Sequence, residues 1–134
     1  MKVVDPFPAA AHVGKCRVLV VEDDALTHTT LARVLEQAGH WVEAVGTVAG
    51  ALLKLPDVHC VVLDLNLPDG NGMDVLRRAR ELHLPVRIAV HTGIADPAVL
   101  REVRALRPDA LFLKPFDPFD LITWLDRQRS ALPE

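Results

Sequence analysis

Asp64 closes an apolar run, Cys60-Val61-Val62-Leu63, and is followed by the turn-rich stretch Leu65-Asn66-Leu67-Pro68-Asp69-Gly70. A carboxylate at such a junction emerges where a buried strand leaves the core, the place where α/β proteins hold ligands and do chemistry. Three other apolar runs end in polar groups. Arg17 to Val21 leads into Glu22-Asp23-Asp24, Val86 to His91 into Thr92, and Ala110 to Leu113 into Lys114-Pro115. Grouped carboxylates repel, and at least one is driven neutral unless a cation sits among them. Hard oxygen donors in a partly hydrated pocket suit Mg2+ better than zinc or copper. An ammonium from Lys114 and a hydroxyl from Thr92 complete a set suited to phosphoryl transfer onto Asp64, where positioning and charge neutralisation do most of the catalysis. Taken singly, an acid after a strand is most often a helix cap and a Lys-Pro pair a turn. The joint occurrence at one edge of a sheet is what points to chemistry.

The elements that would position these groups alternate along the chain. Arg17 to Glu22 reads as strand one, Trp41 to Val45 as a weaker strand two, the run into Asp64 as strand three, Val86 to His91 as strand four and Ala110 to Leu113 as strand five. Between them, apolar residues at helical spacing predict helices over Ala25 to Ala38, Thr47 to Leu55, Met73 to Leu82 and from Asp96-Pro97 to about Leu106. A last helix runs from Asp117-Pro118 to about Ser130. Gly39 is placed to end the first helix, Thr47 to cap the second, and the two Asp-Pro pairs to open the last two. Strands alternating with helices on short connections predict a parallel sheet with helices on both faces, doubly wound in the order 2-1-3-4-5 (flavodoxin-like). In that order strands one and three are neighbours, so Asp64 and the strand-one acids converge.

The chain has 134 residues, 50% hydrophobic and 25% charged, with a net charge of −3. That is the composition of one globular domain, without the electrostatic footprint of a nucleic-acid binder. No apolar stretch is long enough for a membrane span or a signal peptide. Cys16 and Cys60 have no metal-like spacing and read as reduced thiols in or near the core, which suits a cytoplasmic protein. Residues 1–15 read as a flexible leader and 16–131 as the domain, with no output domain after it.

Four segments together resemble the receiver domains of two-component response regulators: Val-Leu-Val-Val-Glu-Asp-Asp (18–24), Val-Val-Leu-Asp-Leu-Asn-Leu-Pro-Asp-Gly (61–70), His-Thr-Gly (91–93) and Phe-Leu-Lys-Pro-Phe (112–116). The resemblance implies that Asp64 is the phosphoacceptor, taking its phosphoryl group from a histidine kinase or a histidine phosphotransfer protein. It further implies a Mg2+ bound by Asp23 and Asp64, by Glu22 through water and by the main-chain carbonyl of Asn66. Thr92 and Lys114 would engage the phosphoryl oxygens. The output would be protein-protein contact with a downstream effector, with the face formed by helix four, strand five and helix five as a candidate homodimer surface. The family often carries an aromatic switch residue three positions before the lysine; here that position is Leu111. Phe112 follows it on the opposite face of the strand, so an aromatic rotation into the Thr92 pocket is not expected. The rival reading, an aspartyl-phosphate phosphatase of the haloacid dehalogenase type, expects a second acid where this chain has Asn66. A pseudo-receiver that only binds is disfavoured by the intact set of acids, Thr92 and Lys114.

Other residues receive plainer readings. Asp24 caps helix one. His91 points away from Thr92 by alternation and is structural, and His12, His28, His40, His59 and His83 are surface or turn residues. Arg77, Arg78, Arg80, Arg101, Arg104 and Arg107 lie on solvated helix faces. Leu121, Ile122 and Leu125 pack in the core, while Phe119 and Trp124 are candidates for a partner surface.

Overall fold

The computed structural model describes residues 16–94 and 96–130, with the side chains of residues 129 and 130 excluded. The leader expected over residues 1–15, His12 within it, and residues 131–134 lie outside the described residues. Five strands, β1 (Arg17–Val21), β2 (Trp41–Val45), β3 (Cys60–Asp64), β4 (Arg87–Thr92) and β5 (Ala110–Leu113), form one parallel sheet in the order β2-β1-β3-β4-β5. Five α-helices connect and cover them: α1 (Ala25–Gln37), α2 (Val48–Lys54), α3 (Met73–Glu81), α4 (Pro97–Ala105) and α5 (Pro118–Ser130). The doubly wound fold expected from the sequence is the fold observed.

Alternation along the strands divides the core in two. Leu19, Val21, Val61, Leu63, Ile88 and Val90 pack with Ala51, Val75, Leu76, Ala79 and Val103 on the face covered by α2, α3 and α4. Val18, Val20, Cys60, Val62 and Ala89 pack with Leu31, Leu35, Leu121, Trp124 and Leu125 on the face covered by α1 and α5. Every residue of β3 is buried, because a central strand with helices on both sides has no wet face. Side-chain caps then fix where α1, α2, α4 and α5 begin. Asp24 accepts from the Thr27 amide at 2.9 Å, Thr47 from Gly50 at 3.0 Å, Asp96 from Ala98 at 2.8 Å and Asp117 from Phe119 at 2.9 Å. Gly39 adopts φ 96° after α1, a conformation that a residue without Cβ takes at little cost.

Several details depart from the sequence reading. Pro56 does not simply end α2 but sits inside a single 3-10 turn, Leu55–Asp57. The turn after Asp64 contains a two-residue hairpin, Asn66–Leu67 against Gly70–Asn71, too short for any periodicity to signal. Trp124 is 8% exposed in the core beside α1, so of the two candidate partner residues only Phe119, 73% exposed, remains at the surface. His40 is not a surface residue: it is buried, its Nδ1 accepts from the Cys16 amide at 3.3 Å, and its Nε2 lies 3.7 Å from Asp126. His59 likewise accepts the Arg17 amide, at 2.9 Å. Both imidazoles serve strand amides at the N-terminal end of β1, a role without a sequence spacing. His28 is half-buried, its Nδ1 3.2 Å from the Glu22 carbonyl, whereas His83 is an exposed turn residue with φ 52°. Arg80 is not on a solvated face either. Its guanidinium donates to the Arg107 carbonyl at 2.7 Å and to Asp109 at 3.1 Å, tying α3 to the turn before β5. Cys16 and Cys60 are both buried in the core, as expected.

Candidate functional site

The C-terminal ends of β1, β3, β4 and β5 bring the candidate groups together. Val21 pairs with Leu63 and Asp64 with His91, so Glu22, one residue beyond β1, stands beside Asp64. Both acids are held in the protein interior, Glu22 1% and Asp64 4% exposed. Lys114 reaches over them from the end of β5, its Nζ 3.4 Å from Asp64 Oδ2 and 3.5 Å from Glu22 Oε2. Asp64 Oδ1 accepts the Asn66 amide at 3.2 Å, and Glu22 Oε1 the Asp24 amide at 3.2 Å. Glu22 Oε2 has no hydrogen-bond partner among the described residues.

Backbone packing fixes the floor of the pocket. At Gly72 a Cβ would collide with the Asp64 carbonyl oxygen and meet Leu65 Cα at 2.8 Å. The Gly72 amide donates to the Leu65 carbonyl at 2.8 Å, so the chain passes directly against the backbone of Asp64. Asp69, in the hairpin turn, accepts the Val48 and Ala49 amides at 2.7 and 3.1 Å and so anchors the N-terminus of α2. Thr92 is buried and its Oγ1 accepts the Ile94 amide at 3.0 Å, which leaves the hydroxyl hydrogen to donate elsewhere. The Lys114 amide donates to the Thr92 carbonyl at 2.8 Å, and the Lys114-Pro115 bond is cis.

Burial dominates the electrostatics. It raises the Glu22 carboxyl from 4.5 to about 7, helped by the neighbouring Asp64 carboxylate and opposed by Lys114. Burial also lowers His91 from 6.5 to about 4, helped by the Lys114 charge and opposed by Asp64. The imidazole is therefore neutral at pH 7. Asp24, by contrast, is held below the usual carboxylate range by its bonds to Thr27.

Of the residues singled out by sequence, Glu22, Asp64 and Lys114 are in mutual contact. Thr92 lies at the same sheet edge with its hydroxyl engaged by Ile94. Asp23 and Asn66 are exposed beside the pocket rather than within its buried part. Asp24 acts as the cap of α1. His91 was missed. It does point away from Thr92, but in doing so it faces the acids: its Nε2 lies 3.8 Å from Glu22 Oε2, and ligand atoms of Glu22, Asp64 and His91 all lie within 4.8 Å of one another. The signal was available, because residues 64 and 91 are register partners on adjacent parallel strands and so present side chains on the same face. Phe112 packs on that same face, its ring 5.4 Å from Phe116, while Leu111 packs on the other.

The doubly wound sheet, with a buried acid pair and a lysine at its C-terminal edge, has the architecture of a signalling receiver domain. The chain belongs to the response regulator receiver domain family, which it matches over residues 18–126, and so to the switches of two-component signalling. It is similar to the photosynthetic apparatus regulatory protein RegA of Rhodobacter capsulatus, with 35% identity over 92% of this chain and 68% of that protein. It is similar also to the response regulator receiver protein CpdR of Brucella abortus, with 29% identity over 86% of this chain and 98% of that one. Against the cell cycle transcriptional regulator CtrA of Caulobacter vibrioides it is 32% identical but spans 47% of the relative's length. Among solved structures, the CheY-like receiver domain protein from Methanospirillum hungatei superimposes with a TM-score of 0.77 at 28% identity, over 87% of this chain and 98% of that one. The BeF3-activated DrrB receiver domain superimposes with a TM-score of 0.78 at 25% identity, over the same shares. Receiver domains generally bind Mg2+, and the buried acids with an orphaned carboxylate oxygen fit a cation. No helix among the described residues is long and apolar enough to cross a membrane.

Proposed function

We propose that Asp64 accepts a phosphoryl group from the phosphohistidine of a histidine kinase or phosphotransfer protein and that the resulting aspartyl phosphate switches the domain's contacts with an effector. The observation that supports this reading is the placement of Asp64: 4% exposed, bonded to the Asn66 amide, with an ammonium 3.4 Å away. A carboxylate oxygen attacks phosphorus, the bond from phosphorus to the donor's imidazole nitrogen breaks, and that nitrogen takes up a proton. Lys114 neutralises the transferred oxygens, and Thr92 donates its free hydroxyl hydrogen to one of them. Mg2+, bound by Asp23, Asp64 and the Asn66 carbonyl with Glu22 acting through water, would supply the countercharge that three phosphoryl oxygens need. The reaction is self-catalysed: the donor brings the energised bond and the chain brings positioned charge.

Phosphorylation adds roughly −1.5 to −2 charges at this edge, which draws Lys114 off Glu22 and Thr92 towards Asp64. Leu111 and Phe112 occupy opposite faces of β5, so the change reaches the face of α4, β5 and α5 through aliphatic packing rather than through an aromatic swing. That face is the surface we assign to the effector or to a second copy of the chain. Incubation with Mg2+ and acetyl phosphate tests the reading. Intact-mass spectrometry should show one phosphoryl adduct, absent from Asp64→Asn. No adduct would reduce the domain to a binding module, and steady turnover of unrelated phosphoesters would make it a phosphatase.

A further inference from the structure

We propose that Glu22, Asp64 and His91 form a mixed carboxylate–imidazole site that takes a divalent transition cation, Mn2+ or Co2+, through a nitrogen ligand. The inference rests on the phosphoacceptor reading for the pocket's purpose and adds a directly ligated cation mode of the unphosphorylated pocket, distinct from the Mg2+ mode in which Glu22 acts through water. Three observations meet here. Donor atoms of the three side chains lie within 4.8 Å of one another, a span that modest side-chain rotation closes around one ion. His91 is 0% exposed, and neither of its ring nitrogens has a hydrogen-bond partner among the described residues, although Nε2 is aimed at Glu22 Oε2 from 3.8 Å. Glu22 Oε2 is itself buried without a hydrogen bond.

A buried imidazole with both nitrogens unanswered is costly, and such groups are normally bonded to protein, water or an ion. Core packing alone would be served as well by a valine or leucine. The ring packs 5.8 Å from Phe116, which holds its plane without engaging its nitrogens. Lys114 is the competing cation, within 3.5 Å of both acids. It leaves Glu22 Oε2 without a hydrogen bond, and its side chain is 32% exposed, so it can retreat towards solvent as a dication enters. Two carboxylates and one imidazole are a donor set for which Mn2+ and Co2+ compete far better than Mg2+, whose ligands are almost always oxygen.

Pulsed EPR of the Mn2+-loaded protein reads the bond directly: nitrogen hyperfine coupling of imidazole type is expected, and its loss in His91→Val assigns it to this ring. In parallel titrations, His91→Val should weaken Mn2+ and Co2+ by about tenfold or more and leave Mg2+ affinity unchanged. Bound Mn2+ without nitrogen coupling, no Mn2+ binding at all, or an equal loss for all three cations would overturn the proposal. Acetyl phosphate added with Mg2+ to the same preparation separates it from the phosphoacceptor reading. An adduct on Asp64 without nitrogen coupling sinks the imidazole ligand alone, whereas nitrogen coupling without an adduct keeps the cation site and sinks the phosphoacceptor.

Discussion

The two ends of the sheet hold acids among cations, and they treat them in opposite ways. At the N-terminal end, Asp109 is saturated. Its Oδ2 accepts the Ile88 amide at 2.7 Å and Arg80 at 3.1 Å, and its Oδ1 lies 3.8 Å from Arg87. At the C-terminal end, Glu22 and Asp64 share one lysine, Glu22 Oε2 lacks a hydrogen bond, and a bare imidazole faces them. One cluster is closed: every partner it needs is covalently part of the chain, and it clamps α3, β4 and the turn before β5. The other is open, kept in deficit by the fold, and a deficit of partners in a buried polar group is where a ligand gains affinity. Structural and functional charge clusters differ here in satisfaction rather than in composition.

Substitutions at each end should separate the two. The largest contrast is Asp64→Asn, which should abolish the phosphoryl adduct while leaving the melting temperature unchanged or higher, since it relieves Glu22 of a repelling neighbour. Mass spectrometry and a thermal melt on one sample decide it, and a collapse in stability would mean that the open cluster is structural after all. Asp109→Ala should do the reverse, lowering stability by about 2 kcal/mol through the stranded Ile88 amide and Arg80, with adduct formation intact; chemical denaturation measures the first and mass spectrometry the second.

Glu22 sharpens the comparison through pH. Its carboxyl is raised from 4.5 to about 7 in the fold, so between those values the folded protein binds a proton that the unfolded chain has released. Stability from this group therefore falls as pH rises from about 4.5 to about 7 and levels off above. Melts recorded with chelator from about pH 4 to about pH 8 should show that slope in the wild type and lose it in Glu22→Gln; an unaltered slope would place the open cluster's strain elsewhere. The smallest effect belongs to Asp24→Ala, which removes the α1 cap at Thr27. It should lower the denaturation midpoint slightly without changing the adduct, although the residue directly follows two candidate metal ligands.

Much of this was legible in the chain. The apolar runs announced all five strands, and the Asp-Pro, Thr47 and Gly39 signals placed helix ends to within a residue or two, because caps are local chemistry. Glu22, Asp64 and Lys114 were recoverable because sheet order alone makes their strand ends converge. His91 escaped because its alternation was measured against Thr92 within one strand, when the pairing that matters is with Asp64 across the sheet. His40, His59 and Arg80 escaped for a similar reason: each answers a backbone group distant in sequence, a demand that no spacing records. Trp124 shows the limit of counting apolar residues on a helix, since α1 covers part of α5 that an isolated helical wheel would leave bare.

The glycine beneath Asp64 also shows which wall of the pocket is packed without slack. Gly72 presses on the Asp64 backbone, and the hairpin and the Asp69 bonds brace that loop on its other side. Gly93, just past Thr92, has no atom of the described residues within 4 Å of where its Cβ would stand. The pocket thus has one wall packed backbone to backbone and one wall with space beside its glycine. Room to accommodate a change at Asp64 therefore lies beside Thr92 and not in the loop beneath the carboxylate.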